Sequence, residues 1–177
     1  MQEPAVLSFR PATLADVADI VRITNAAYRG EAGVAGWTHE MDLVNGPRTD
    51  EAEVQALVAA PGSTMLLALA GGTVVGSVLL QRQEDAAYLG MFVVAPRMQG
   101  AGAGKRLMQA AEAYVQREWG VRRMTMTAIS LRRELIAFYG RRGYLPTGEV
   151  VAFPAEAASR ARVEGIELAV LQKDLQP

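Results

Sequence analysis

Residues 65–81 read MLLALA, Gly71-Gly72, TVVGSVLLQ, and they leave the backbone little choice. Two apolar runs flank two adjacent glycines, which supply the positive φ angles that a two-residue turn requires, so the segment predicts a β-hairpin. A third run, AAYLGMFVV (86–94), is again strand-like. Around these strands the apolar period changes to about 3.6 residues often enough to order the remaining elements.

VLSFR (6–10) predicts a short strand. Thr13 and Asp16 form a capping-box pattern before a helix whose inward stripe is Val17, Ile20, Val21, Thr24 and Tyr28. From Arg29 to Arg48 no period holds. Asp50 and Glu53 can cap a second helix with Val54, Leu57 and Val58 inward. Further on, Leu107, Ala111, Tyr114 and Glu118 or Trp119 mark one face of a helix that Gly120 can stop. RMTMTAI (123–129) predicts a strand, with Met124 and Met126 in the core. Ser130 is the expected cap of a helix through Tyr139, with Arg141 and Arg142 at its negative end and Gly143 as terminator. EVVAF (149–153) and IELAVLQ (166–172) close the chain as strands around a solvated excursion, PAEAASRARVEG. No repeat, low-complexity tract or linker divides the order, so residues 1–177 are expected to form one mixed α/β domain.

Composition limits what such a domain can do. Eighteen Lys plus Arg stand against 19 Asp plus Glu, which argues against a nucleic-acid footprint. With no cysteine, disulfides, thiolate metal sites and a thiol nucleophile are all excluded. One histidine leaves little room for a hydrolase triad or a histidine metal site, and Ser77 in VVGSVLL lacks the nucleophile-elbow pattern, so no metal is expected. The N-terminal MQEPAVLSF lacks a basic stretch followed by an apolar one, and no apolar run approaches membrane-spanning length, so a cytoplasmic protein is the expectation.

The segment VVAPRMQGAGAGKRL (93–107) sets nearly bare backbone between a strand and a helix start. It is not a P-loop: Gln99 stands five positions before Gly104, where glycine is needed, and Arg106 replaces the magnesium-binding Ser or Thr. It is not a dinucleotide fingerprint either, because Leu107 takes the third glycine position of the register starting at Gly102. A helix N-terminus behind missing side chains would still offer N–H groups and a positive dipole end to a phosphate, with Lys105 or Arg106 adding charge. A tight turn that uses glycine for geometry alone fits the same residues.

Val94, Pro96, Gln99, Gly100, Gly102, Gly104 and Leu107 together resemble the acyl-CoA-binding motif of the GNAT superfamily of N-acyltransferases. ELIAFYGRRGY (134–144) resembles that superfamily's downstream helix. The resemblance covers residues 5–174 and is strongest over 86–147. It implies a single domain with a mixed, mostly antiparallel central sheet flanked by about four helices and splayed beside the strand that ends in the loop. It further implies acetyl-CoA as cosubstrate and direct transfer of its acetyl (acyl) group to a primary amine, on a small molecule or a peptide, with a homodimer as an option.

The resemblance also assigns roles. Backbone groups of Met91, Phe92, Val93 and Val94 would pair with the pantetheine arm. Gln99, Gly100, Ala101, Gly102, Ala103, Gly104 and Lys105 would hold the pyrophosphate. Arg132 replaces an asparagine that often contacts CoA and could reach a phosphate instead. Tyr139 lies where relatives often keep a tyrosine near the CoA sulfur, so its hydroxyl is a candidate general acid; a core aromatic is the alternative. Gly90 stands where several relatives keep a glutamate base. A base is still needed, because freeing an amine of pKa ~10.4 at pH 7 costs about 4 to 5 kcal/mol. Glu134, His39 and Glu40 are the candidates, although Glu134 equally suits a helix dipole and a lone loop histidine equally suits solvent. The long loop 29–48 would cover the amine side, with Trp37, His39 and Glu40 as acceptor-binding residues. Arg132, Arg133, Arg141 and Arg142 could bind an anion or simply solubilise a helix. The alternatives are a catalytically silent acyl-CoA-binding or sensing module and, disfavoured by the glycine spacing, a P-loop-like nucleotide binder.

Overall fold

A computed structural model describes residues 5–28, 46–155 and 160–177. Its elements follow the predicted order: β1 (Leu7–Pro11), α1 (Val17–Tyr28), α2 (Glu51–Ala59), β2 (Ser63–Ala70), β3 (Thr73–Arg82), β4 (Ala87–Val94), α3 (Ala103–Trp119), β5 (Arg123–Ile129), α4 (Arg133–Gly140), β6 (Leu145–Ala152) and β7 (Glu167–Asp174). The sequence order β1-β2-β3-β4 is kept in one seven-stranded sheet, which continues β5-β7-β6. Every neighbouring pair is antiparallel except β4 with β5.

Caps and turns act where the residue types demand. The Thr13 N–H donates to Asp16 Oδ2 at 2.8 Å, and the Asp16 N–H donates to the Thr13 carbonyl at 3.0 Å. Asp50 caps α2 by accepting the Glu53 N–H at 2.8 Å. Gly71 and Gly72 join β2 to β3 at φ +56° and +80°, the region that bare backbone enters at no steric cost. The buried face of α1 is Val17, Ile20, Ile23, Thr24, Ala27 and Tyr28; Val21, expected inward, is half-buried.

Ser130 does not cap α4. Its N–H instead extends the β5–β7 ladder to the Glu167 carbonyl at 2.8 Å, and the Arg132 N–H turns back to the Ile129 carbonyl at 2.9 Å. The helix therefore starts two residues later than a Ser130 cap would set it, at Arg133, and the Ser130 hydroxyl is buried without a hydrogen-bond partner among the described residues. At the other end α4 stops at Gly140, and Gly143 (φ +93°) closes the following turn rather than the helix.

Two cores cover the two faces of the sheet. Leu107, Met108, Ala111 and Val115 of α3 and Leu135 and Tyr139 of α4 pack with Leu89, Phe92 and Val94 on one face. Ile20, Ile23 and Ala27 of α1 and Val54 of α2 pack with Met91 and Val93 on the other. Leu89 and Met91 are two residues apart yet lie on opposite faces. The cause is a bulge: β3 advances from Ser77 to Leu79 while β4 runs from Val93 to Gly90, and Met91 takes φ +44°. A non-glycine residue in that region carries strain that only surrounding packing maintains. Among the described residues no helix is long and apolar enough to cross a membrane.

Candidate active site

The parallel contact between β4 and β5 lasts for two residue pairs, Ala87 with Met124 and Tyr88 with Thr125. Beyond Tyr88 the strands part. Both then run toward their C-terminal ends with a gap between them, and the gap opens into a cavity of about 520 Å³. Its wall includes Gly90, Met91 and Phe92 of β4, Thr127 and Ile129 of β5, and Tyr139 of α4.

The loop that leaves the C-terminal end of β4 and leads into α3 exposes nearly bare backbone. Gly100 and Gly102 sit at φ +85° and +78°, and a Cβ at either would meet nothing within 4 Å. Gly102 is the N-cap of the 17-residue α3, whose first turn holds no acidic side chain. Its first N–H groups lack intrahelical partners and carry the positive dipole end. Ala103 and Gly104 are buried beneath this turn, Ala101 is exposed, and Lys105 is exposed with no ion pair to a described residue. Arg106, the other expected cation, points elsewhere: its guanidinium donates to the Ala5 carbonyl at 3.0 Å and reaches the Leu7 carbonyl at 3.5 Å. Open backbone, a helix N-terminus and an exposed lysine thus stand together, a set that could hold an anion.

The Gln99 side chain braces the start of the loop. Its Nε2 donates to the Val94 carbonyl at 2.8 Å and so ties the loop to the end of β4. The Phe92 carbonyl accepts the Tyr28 hydroxyl at 2.9 Å, inside the protein. Two side chains thus fix the backbone of β4 in the stretch expected to receive a pantetheine arm, and the side chains of Met91 and Val93 in that stretch are buried.

Tyr139 is 5% exposed and edge-on to Phe92 (6.3 Å between ring centroids), Phe138 (5.5 Å) and Tyr144 (6.5 Å). Its carbonyl accepts the N–H groups of Arg142 at 2.9 Å and Tyr144 at 3.1 Å, which fix the end of α4. Tyr144 in turn donates to Glu112 at 2.8 Å, and Lys173 donates to the same carboxylate at 2.9 Å. Burial first, and the Glu112 charge second, push the Tyr144 phenol well above its ordinary range, so it stays a neutral donor. Tyr139 lines the cavity, whereas Tyr144 does not.

Arg132 lines the cavity at the start of α4. Glu134, two residues on, is exposed in the first turn of the helix and is not part of the wall. Trp37, His39 and Glu40 lie outside the described residues.

Several wall residues escape a reading of the sequence. Arg48, Asp50 and Glu53 reach the cavity from the start of α2, although the two acids read only as caps. The excursion 154–165 is exposed at most of its described residues but contributes Pro154 and Arg160 to the wall, next to Phe153, so it is more than a solvated connector. Tyr88 adds a phenol beside Thr127, oxygen to oxygen 3.3 Å. One signal was present for it: Tyr88 and Gly90 are two apart on a strand, so a small residue stands on the tyrosine's own face.

A search among curated proteins gives no match. Solved structures match over nearly the whole chain: yncA from Salmonella typhimurium, solved with its cofactor acetyl-CoA, is 22% identical with a TM-score of 0.69, covering 98% of this chain and 96% of its own. An acetyltransferase of the GNAT family from Streptococcus pneumoniae is 18% identical with a TM-score of 0.67, at 97% and 100% coverage. An N-acetyltransferase from Staphylococcus aureus Mu50 is 9% identical with a TM-score of 0.73, at 96% and 98% coverage. At these identities the likeness is one of fold: a mixed, mostly antiparallel seven-stranded sheet with four helices. The sequence pattern of the acetyltransferase (GNAT) family matches residues 21–144, and the chain belongs to that family.

Proposed function

We propose that this protein transfers the acetyl group of acetyl-CoA directly to a primary amine. The observation that carries this reading is the parting of β4 and β5 after Tyr88, which opens a cavity bordered by Met91, Phe92 and Tyr139 with the glycine cradle at the same end of β4. The yncA structure, solved with acetyl-CoA on a similar fold, supports that placement.

Gly100 to Lys105 and the N-terminus of α3 hold the pyrophosphate, and the β4 backbone, tied at Phe92 by Tyr28 and at Val94 by Gln99, receives the pantetheine arm. Acetyl-CoA supplies an acyl group activated as a thioester. The acceptor's neutral nitrogen forms the new C–N bond, the C–S bond breaks, and the Tyr139 hydroxyl gives its proton to the departing sulfur. Thiols titrate near 8.5 and phenols near 10, so this transfer is only modestly uphill and a developing thiolate charge favours it. The ammonium sheds one proton before attack and the nitrogen a second as the amide forms; one returns through solvent to the Tyr139 oxygen and restores its hydroxyl, and the other leaves to solvent or to a carboxylate lining the cavity, Asp50 or Glu53.

Incubation with acetyl-CoA and a broad amine panel, followed by release of free thiol, tests the reading. Thiol release that depends on an amine, together with thermal stabilisation by CoA but not by ATP, is the expected result. CoA stabilisation without transfer to any amine would identify a binding or sensing module, and stabilisation by ATP alone would overturn the CoA assignment.

A further inference from the structure

The acceptor end of the cavity carries both signs of charge, and the cations are held there by the fold. Asn25 on α1 accepts the N–H groups of Arg48 and Thr49 at 2.7 and 3.0 Å and donates to the Thr49 carbonyl at 2.9 Å, which clamps the segment before α2 against α1. The Arg48 guanidinium lies 5.4 Å over the Tyr28 ring, is half-buried, and has no carboxylate among the described residues within ion-pairing distance. Arg160 comes from the far wall, on the connector between β6 and β7, and its Nη1 approaches the Pro47 carbonyl at 3.5 Å. Besides Arg132 at the start of α4, two guanidiniums from separate parts of the chain therefore border the same cavity. Beside them, Glu53 Oε2 accepts the Thr49 hydroxyl at 2.6 Å and Asp50 caps α2, and both carboxylates line the same cavity.

A plain alkylammonium gains nothing from two arginines and is repelled by them. A guanidinium is a planar fork suited to a carboxylate or phosphonate. We infer that the acceptor is a small amine bearing its own carboxylate- or phosphonate-type anion, with the anion held by Arg48 and Arg160 and the ammonium drawn toward Glu53 and Asp50. The inference rests on the acyl-transfer reading above. Size points the same way, since about 520 Å³ must also admit the acyl end of the cosubstrate, which leaves room for an amino-acid-sized molecule.

The test uses the full-length protein, acetyl-CoA and matched sets of amines: α-amino acids and aminophosphonates, their esters or amides, and their decarboxylated counterparts. Acid-bearing amines should exceed their neutralised counterparts at least about 10-fold in kcat/KM, the range expected of a hydrogen bond to a charged group. Arg48→Gln and Arg160→Gln should each remove most of that preference through the acceptor KM while leaving the KM for acetyl-CoA in place. Arg48→Lys should keep part of it, because the charge remains and the fork does not. Equal turnover of esters or decarboxylated amines by the wild-type protein, or arginine variants that lower every acceptor alike, would overturn the inference and leave acyl transfer standing. Failure of every amine, charged or neutral, would sink the acyl-transfer reading and this inference with it. Should the variants not fold, the wild-type comparison decides alone.

Discussion

A Cβ placed on Gly90 would lie 2.7 Å from Cε1 of Tyr88 and 3.2 Å from its hydroxyl oxygen, so the tyrosine ring fills the space over the glycine. The residue at 90 is small because of its neighbour on the same strand face, and the face turned to the cavity carries a phenol near Thr127 in place of a carboxylate. Gly90→Ala must then displace the Tyr88 ring from Thr127. In chemical denaturation, Gly90→Ala and Tyr88→Ala are expected to be non-additive by about 1 kcal/mol, the usual scale for touching residues. Additive costs would show that the two positions do not share that space.

Tyr139→Phe keeps the edge-on packing against Phe92 and Phe138 and removes only the hydroxyl. CoA affinity should be unchanged, while single-turnover transfer to a competent amine falls by about 10²- to 10⁴-fold, the range of general acid catalysis. Measurement under single turnover is needed because slow product release can mask a chemical defect. A wild-type rate there would make Tyr139 a packing residue.

Gly102→Val should fold at a cost of about 1 to 2 kcal/mol, because φ +78° is unfavourable for a side chain although the space around it is open. CoA affinity should drop at least about 10-fold as the side chain occupies the cradle, a loss that calorimetric titration would read directly. Gly148→Val provides the control: it shares the backbone geometry (φ +90°) and the open surroundings but lies in β6, away from α3, and should leave CoA binding intact. Equal affinity in the two variants would refute the pyrophosphate assignment.

Asp16 ties the start of α1 to β1. Hydrogen bonds from the Arg10 guanidinium at 2.8 and 2.9 Å lead the lowering of its carboxyl from 3.8 to about 2, the Thr13 N–H assists, and burial opposes. Because the folded value lies below the unfolded one, this stabilisation is present above about pH 4 and is lost as pH falls toward 2. Asp16→Asn should cost about 1 to 2 kcal/mol at pH 7, discounted because Arg10 is 45% exposed, and only a small fraction of that at pH 2, where the folded-state carboxyl is half protonated. Urea melts of both proteins at the two pH values check this, and a difference undiminished at pH 2 would assign it to packing.

The hairpin, the caps at Thr13 and Asp50, the strand-loop-helix unit and the order of elements were legible because each rests on residues close in sequence: two glycines supply a turn, a short acid supplies a cap, and apolar spacing supplies a face. The GNAT resemblance was legible for the same reason, since its glycines and its ELIAFYGRRGY helix are contiguous runs. Ser130 was misread because the Glu167 carbonyl, 37 positions away, competes for its N–H and continues the sheet past the expected helix start. The bulge at Met91 was invisible for another reason: every residue from 91 to 95 is apolar, so a reversal of facing leaves no trace in the alternation. Of the cavity wall, Met91, Phe92, Arg132 and Tyr139 were named from the family resemblance, while the rest was decided by tertiary structure. Arg48, Tyr88, Tyr139 and Arg160 meet across a gap that exists because β4 and β5 pair for two residues and then diverge, and pairing across a sheet depends on where distant segments pack rather than on the local propensity of either strand.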